Sequence, residues 1–257
     1  MKKQIIIVMM AAGLLVTVPA AAQTTGSCKA PATCPVSKPM SINNRTTVGE
    51  MAVQEPKAIA IYKELGIDYC CMGGKNLKEA LKEKNVTTEA FMEKLAFLKK
   101  ESDKTPVVDY VSMSPEALAG YIDNKHHEYL REALPETSAL FETVLRVHGA
   151  NHPDLYETYR LFGTLKTNLE AHLIREETKL FPQVSNLNNP KMKELVATIK
   201  EEHEVVGELL EDLRKETNDY ALPADACVSF KSLYASMQEM EDDLHEHIHV
   251  ENNILLK

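Results

Sequence analysis

The sequence predicts an all-α protein, an antiparallel four-helix bundle preceded by a small helical domain. Three observations carry that prediction. Strand-like runs are scarce along the 257 residues, which are 44% hydrophobic and 26% charged and contain no tryptophan. From Ser114 onward, long helix-like stretches are separated by short connections, several of them marked by proline, which is how antiparallel helices are joined. The pattern His-x-x-x-Glu also occurs twice, at His172 to Glu176 and at His247 to Glu251. Helical positions four apart lie one turn apart on one face, so each pair offers an imidazole and a carboxylate to one point.

The elements follow in order. Met1-Lys2-Lys3, the apolar run from Ile5 to Val18 and the small residues Pro19 to Ala22 have the three-part layout of a secretory signal peptide over residues 1–22. That run is shorter than the roughly 20 residues of a membrane span, so no stable membrane insertion is expected once it is cleaved. The expected location is periplasmic or exported; the alternative is a cytoplasmic protein whose translation starts at Met40. Residues 23–46, rich in Ser, Thr, Pro, Ala and Gly, read as a flexible tether. Residues 47–100 form the small helical domain, with one helix over Val48 to Leu65 capped by Gly66 and shorter ones over Asn76 to Lys84 and Thr88 to Lys100. Residues 101–113 are the linker, and 114–257 the bundle. Ser114-Pro115 opens a helix that runs to about His148 and is expected to kink at Pro135. The second bundle helix spans about Asp154 to Leu180, the third Asn189-Pro190 to about Thr217, and the fourth starts at Pro223.

The two His-x-x-x-Glu pairs sit in matching surroundings. The run from Glu170 to Leu180 aligns without gaps on His245 to Leu255, and His127 to Leu134 aligns on His203 to Leu210. The two copies separate their histidines by 45 and 44 residues. A repeated helix pair of this kind brings facing helices onto a central metal site. Imidazole with carboxylate is a donor set that suits iron and zinc. The alignment selects His127, His172, His203 and His247 with Glu176 and Glu251. It leaves out His126, and it leaves His245 and His249 on an opposite, solvated face. A ferritin-like oxidase is disfavoured, because its ligand pairs read Glu-x-x-His. The net charge of −9 and the lack of a basic stripe argue against nucleic acid as a partner.

Five cysteines remain: Cys28, Cys34, Cys70, Cys71 and Cys227. Adjacent Cys70 and Cys71 are poorly placed for a mutual disulfide. Followed by Gly73-Gly74, they read either as a thiol pair in an exposed turn that contacts a metal, nitric oxide or a partner thiol, or as two small residues packed at a tight turn. Cys227 reads as a packed thiol, and Cys28 and Cys34 as a disulfide or as inert. His148 ends a helix, where it either lies beside the metal or complements the helix dipole. His152, in an Asn-His-Pro turn, reads as a surface residue.

Taken together, Thr47-Val48-Gly49-Glu50, the turn Leu65-Gly-Ile-Asp-Tyr-Cys-Cys-Met-Gly-Gly74, His127 to Pro135, Lys179-Leu-Phe-Pro182 and Glu251-Asn252-Asn253 resemble the iron–sulfur cluster repair di-iron proteins, the repair-of-iron-centres family. The resemblance covers roughly the last 215 residues. It implies a hemerythrin-like bundle with two non-haem iron ions, oxo- and carboxylate-bridged. His127, His172, His203 and His247 would be terminal ligands, Glu176 and Glu251 the bridges, and His148 a histidine close to the centre. Cys70 and Cys71 would serve thiol-based iron or nitric oxide transfer. The implied task is repair of clusters damaged by nitrosative or oxidative stress, by iron donation or by handling nitric oxide, whose reduction at the site is left open. Iron–sulfur proteins are the implied partners, nitric oxide or oxygen the small ligands, and a homodimer is open. The alternative function is a hemerythrin-like oxygen binder or sensor. Export departs from the family's usual cytoplasmic setting.

Overall fold

The computed structural model describes residues 42–101 and 108–257. The expected signal peptide, most of the tether, Cys28, Cys34 and the middle of the linker lie outside the described residues. Among those described there is no strand, only an isolated antiparallel bridge between Thr47 and Asn76. No described helix is long and apolar enough to cross a membrane.

The small domain begins at α1 (Val48–Gln54). Thr47 accepts from the Glu50 amide while the Glu50 carboxylate accepts from the Thr47 amide, a capping box that satisfies two otherwise orphaned donors. The sequence predicts one helix here, but the structure has two, with α2 at Ala58–Leu65. The break has a local cause. Pro56 disfavours helical backbone in the residue before it, and Glu55 accordingly sits at φ −133° and ψ 77°. Gly66, at φ 60°, ends α2 in the left-handed conformation that a side chain would disfavour. Asn76 caps α3 (Leu77–Glu83), and α4 (Thr88–Glu101) closes the domain. Its core is Met51, Ile61, Leu77 and Leu81 with the stacked rings of Tyr62 and Phe91.

The bundle starts with α5 (Pro115–Ile122), capped by Ser114. One turn of wider π-helix, Asp123–His127, joins it to α6 (Glu128–His148), which continues across Pro135. After a short turn, α7 (Asp154–Arg175) runs back and ends in a second π turn, Glu176–Leu180. Asn189 and Pro190 start α8 (Pro190–Glu216). The fourth helix, α9 (Val228–Val250), begins later than Pro223 and ends in a third π turn, Glu251–Leu255. The delay follows from the connection. Asn218, Asp219 and Tyr220 are all left-handed, and the Thr217 hydroxyl accepts from the Tyr220 amide. Chain that leaves α8 in this way needs Pro223 to Ala226 to return.

In the bundle, α7 packs on α8 and α6 on α9. Leu130, Leu134, Phe141 and Val144 form the inward stripe of α6, at the three- and four-residue spacing of one helical face. A second apolar cluster, including Ile122, Leu180, Ile199 and Val250, lies where the three π turns gather.

Candidate metal centre

Two carboxylates and four imidazoles converge where the π turns meet. His127 ends the first π turn, while Glu176 and Glu251 open the second and third. His172 and His247 come from the last turns of α7 and α9, and His203 from the middle of α8. Their donor atoms form two groups. One is His127, His247, Glu176 and Glu251; the other is His172, His203, Glu176 and Glu251, and within each group the atoms lie within 4.8 Å of one another. Both glutamates belong to both groups. Glu176 Oε2 is 3.2 Å from His127 Nε2 and 3.3 Å from His172 Nε2, and Glu251 lies 3.1 Å from His203 Nε2 and 3.2 Å from that of His247.

All six side chains are buried, and the two glutamates are completely so. Neither oxygen of Glu176 or Glu251 has a hydrogen-bond partner among the described residues, nor does Nε2 of His127 or His247. A carboxylate taken from water without a partner costs several kcal/mol, roughly, and two side by side cost more. Cations held between these oxygens and nitrogens would satisfy the whole set, so the residues present fit a pair of metal ions.

The imidazoles are aimed from behind. His127 Nδ1 is 3.0 Å from Glu177 Oε1, His172 Nδ1 is 3.0 Å from Glu202 Oε2, and His203 Nδ1 is 2.9 Å from Asn252 Oδ1. An acceptor on the outer nitrogen places the ring proton there and turns the Nε2 lone pair inward, which also raises the ring's basicity as a ligand. Arg131 braces Glu177 and Arg175 braces Glu202. The sequence assigns no role to Glu177, Glu202 or Asn252, although Asn252 stands in one of the runs that carry the resemblance. Their signal was adjacency, since each directly neighbours one of the six.

Electrostatics within the cluster are divided. Burial works against protonation of His203, but Glu251 outweighs it and pushes the pKa up to about 9. His127 is raised in the same manner, by Glu176 against burial. Burial lowers His172 and His247. For Glu251, burial is overcome by His247 and His203, which hold its pKa well below the usual carboxylate range.

Comparison with known proteins agrees with this geometry. Residues 121–257 match the hemerythrin HHE cation binding domain, and residues 44–99 match a domain of unknown function, ScdA_N. Among curated relatives, a probable iron–sulfur cluster repair protein of Haemophilus influenzae is 33% identical over 81% of this chain and 93% of its own length. Iron-sulfur cluster repair protein YtfE of Citrobacter koseri is 34% identical over 81% of this chain and 93% of its own. Iron-sulfur cluster repair protein ScdA of Staphylococcus haemolyticus is 29% identical over 83% and 97%. This chain belongs to the iron–sulfur cluster repair family. Membership implies that it binds iron.

The repair-family chain carries its cysteine pair against the outer side of the cluster. The Cys71 thiol donates to the backbone carbonyl of His203 at 3.2 Å, and the Cys70 carbonyl accepts from Asn252, whose other end holds the His203 ring. The two sulfurs are 3.6 Å apart, and Cys70 Sγ is 3.2 Å from Asp68 Oδ1. The turn is not openly exposed, because Cys70 is buried in the bundle core. Hydrogen bonding with Cys71, together with burial, raises the Cys70 pKa. A cavity of about 840 Å3 leads to the pair and is lined by Glu208, Asp219, Glu241 and His245.

Three other residues lie away from their expected places. His148 is at the far end of α6, whose 21 residues span about 30 Å, so it does not lie beside the cluster. His249 is buried against Tyr69, and His245 packs on the edge of the same ring, because the face of α9 expected to be solvated is covered by the small domain. Cys227, half-buried at the N-cap of α9, packs against the edge of the bundle core. His126 lies outside both donor groups and is buried, with its ring stacked on His247 at 5.2 Å.

Proposed function

We propose that this chain is a non-haem di-iron protein that repairs iron–sulfur clusters damaged by nitrosative or oxidative stress, through iron donation or through handling nitric oxide at the centre. The observation that carries this reading is the sharing of Glu176 and Glu251 by both donor groups. Two bridging carboxylates and two histidines per ion would hold two irons, with His127 and His247 serving one and His172 and His203 the other. Bound there, ferrous ions would supply redox and small-ligand chemistry and a store of iron for transfer.

The chain's own residues set the terms of that chemistry. The apolar cluster around Ile122, Leu180 and Val250 shields the centre from water. Glu177, Glu202 and Asn252 keep the lone pairs of three imidazoles pointing inward. Cys71, whose thiol meets the backbone carbonyl of His203, and Cys70 beside it are the thiols through which iron or nitric oxide could pass outward. A bare oxygen carrier has no use for a docked thiol domain, which favours repair. The N-terminal pattern adds the proposal that the chain works outside the cytoplasm, on exported metalloproteins or periplasmic nitric oxide. N-terminal sequencing of the protein from fractionated cells tests that part.

Anaerobic reconstitution tests the centre. The expected result is two irons per chain, lost in Glu176→Ala and Glu251→Ala variants that keep their helical circular dichroism. Wild-type protein that takes up no iron would overturn the di-iron reading. Full iron retention in both variants would overturn the ligand assignment.

A further inference from the structure

A second group of metal donors lies at the opposite end of the bundle. His148 ends α6, His152 sits four residues on in the turn to α7, and Asp225 precedes α9. Their donor atoms lie within 4.8 Å of one another. His152 Nε2 is 3.0 and 3.2 Å from the two Asp225 oxygens. A tetrahedral ion with bonds near 2.0–2.1 Å holds its donors about 3.3 Å apart, close to these separations. His148 Nδ1 is 3.9 Å from Asp225 Oδ2, too far for a hydrogen bond and somewhat beyond the tetrahedral spacing, so a small inward shift of the ring would bring it onto the ion.

Nδ1 is the His148 nitrogen that faces Asp225. The residue is 6% exposed, and its Nε2 has no hydrogen-bond partner among the described residues. Phe230 packs against both imidazoles, with ring centroids 5.3 and 5.8 Å away, and so fixes their planes. Beside them Cys227 offers a thiol whose pKa is lowered by the Phe230 amide and by His148. Two imidazoles, a carboxylate and a neighbouring thiol are a borderline-soft set of the kind that zinc and ferrous iron accept.

We infer that His148, His152 and Asp225 bind a divalent first-row transition cation, separate from the buried six-residue centre, with Cys227 or water completing its shell. The ion clips the α6–α7 turn to the start of α9. It stabilises the folded chain by holding together groups that are far apart in the unfolded one. The site stands on its own geometry, about the length of α6 from His127, and does not depend on the repair reading.

Zinc titration of the full-length Glu176→Ala/Glu251→Ala variant, competed against a chromophoric chelator, reads this site with both shared carboxylates of the centre removed; the four central histidines remain, so the comparison with and without Asp225 assigns the ion. One zinc per chain is expected, with affinity at least roughly tenfold weaker on adding His152→Ala or Asp225→Ala. Zinc should also raise the thermal midpoint of the variant that retains the site. Cobalt in place of zinc should give tetrahedral visible bands, with a thiolate charge-transfer band if Cys227 ligates. Should the central variant fail to fold, iron-loaded wild type and Asp225→Ala are compared, and a difference of one zinc is expected. No zinc in the central variant, or equal binding with and without Asp225, overturns the inference.

Discussion

At the residue scale, the six inward-facing side chains were legible because the sequence repeats them. One His-x-x-x-Glu pair says little. Two pairs with matching upstream histidines identify His127 over His126 and His247 over its neighbours, and the donor groups contain those same residues. The groups that aim the imidazoles were not legible, because Glu177, Glu202 and Asn252 are common residues whose role depends on which helix faces them. Asn252 is the most telling. Its oxygen meets His203 Nδ1 and its amide donates to the Cys70 carbonyl, so one side chain ties an imidazole to the thiol turn. Replacing it by alanine should leave the protein folded but weaken iron retention about 10–100-fold. Iron loss to a chelator, followed spectroscopically, measures this. Asn252→Asp keeps the acceptor and should restore most of the affinity, whereas a purely structural role would give equal loss in both variants. An alanine variant that holds iron like the wild type would show that Asn252 does not position His203.

At the element scale, helix number and direction followed from Pro, Ser and Asn start signals, but three irregularities did not. Each π turn contains or begins with one of the six residues, at His127, Glu176 and Glu251. Such turns often occur at functional sites, where the extra residue in the turn re-aims side chains without ending the helix. Apolar periodicity reads through them, since the helix keeps one buried face on either side. The third π turn also docks the small domain. Asn253 donates to the Tyr69 carbonyl at 3.1 Å and lies 3.0 Å from His249 Nδ1, seated against Gly49 and Gly73. A Cβ on Gly49 would stand 2.8 Å from Asn253 Cγ and 3.1 Å from the Gly73 carbonyl. Gly49→Ala should therefore unseat Asn253 and cost about 1–3 kcal/mol of stability. Urea unfolding provides the measurement, and an unchanged midpoint would mean that the seat is looser than its geometry.

At the scale of the whole molecule, the sequence reads as a small domain followed by a bundle, whereas residues 42–257 form one compact unit, and the surface joining its two parts was not legible. His245 and His249 looked solvated because nothing in the periodicity of α9 says that Tyr69 covers it. The joined body buries tyrosines in both parts, and this sets how stability responds to alkali. Burial raises the pKa of Tyr62 in the small domain and of Tyr220 near the α8–α9 connection, and it pushes Tyr234 in α9 up to about 12. The ordinary value is 10.0. Between that pH and about 12 the unfolded chain has released the Tyr234 proton while the folded chain keeps it. The unfolded state then binds fewer protons, so stability falls as pH rises. The contribution of these phenols is complete below pH 10 and is lost as pH climbs through the folded-state values. Thermal midpoints should thus be level approaching pH 10 and decline steeply above it. Tyr234→Phe removes one titrating group from a site that has no need of its charge, so its decline should be shallower over that interval. If the variant and the wild type fall in parallel, Tyr234 is not among the groups that set alkaline stability.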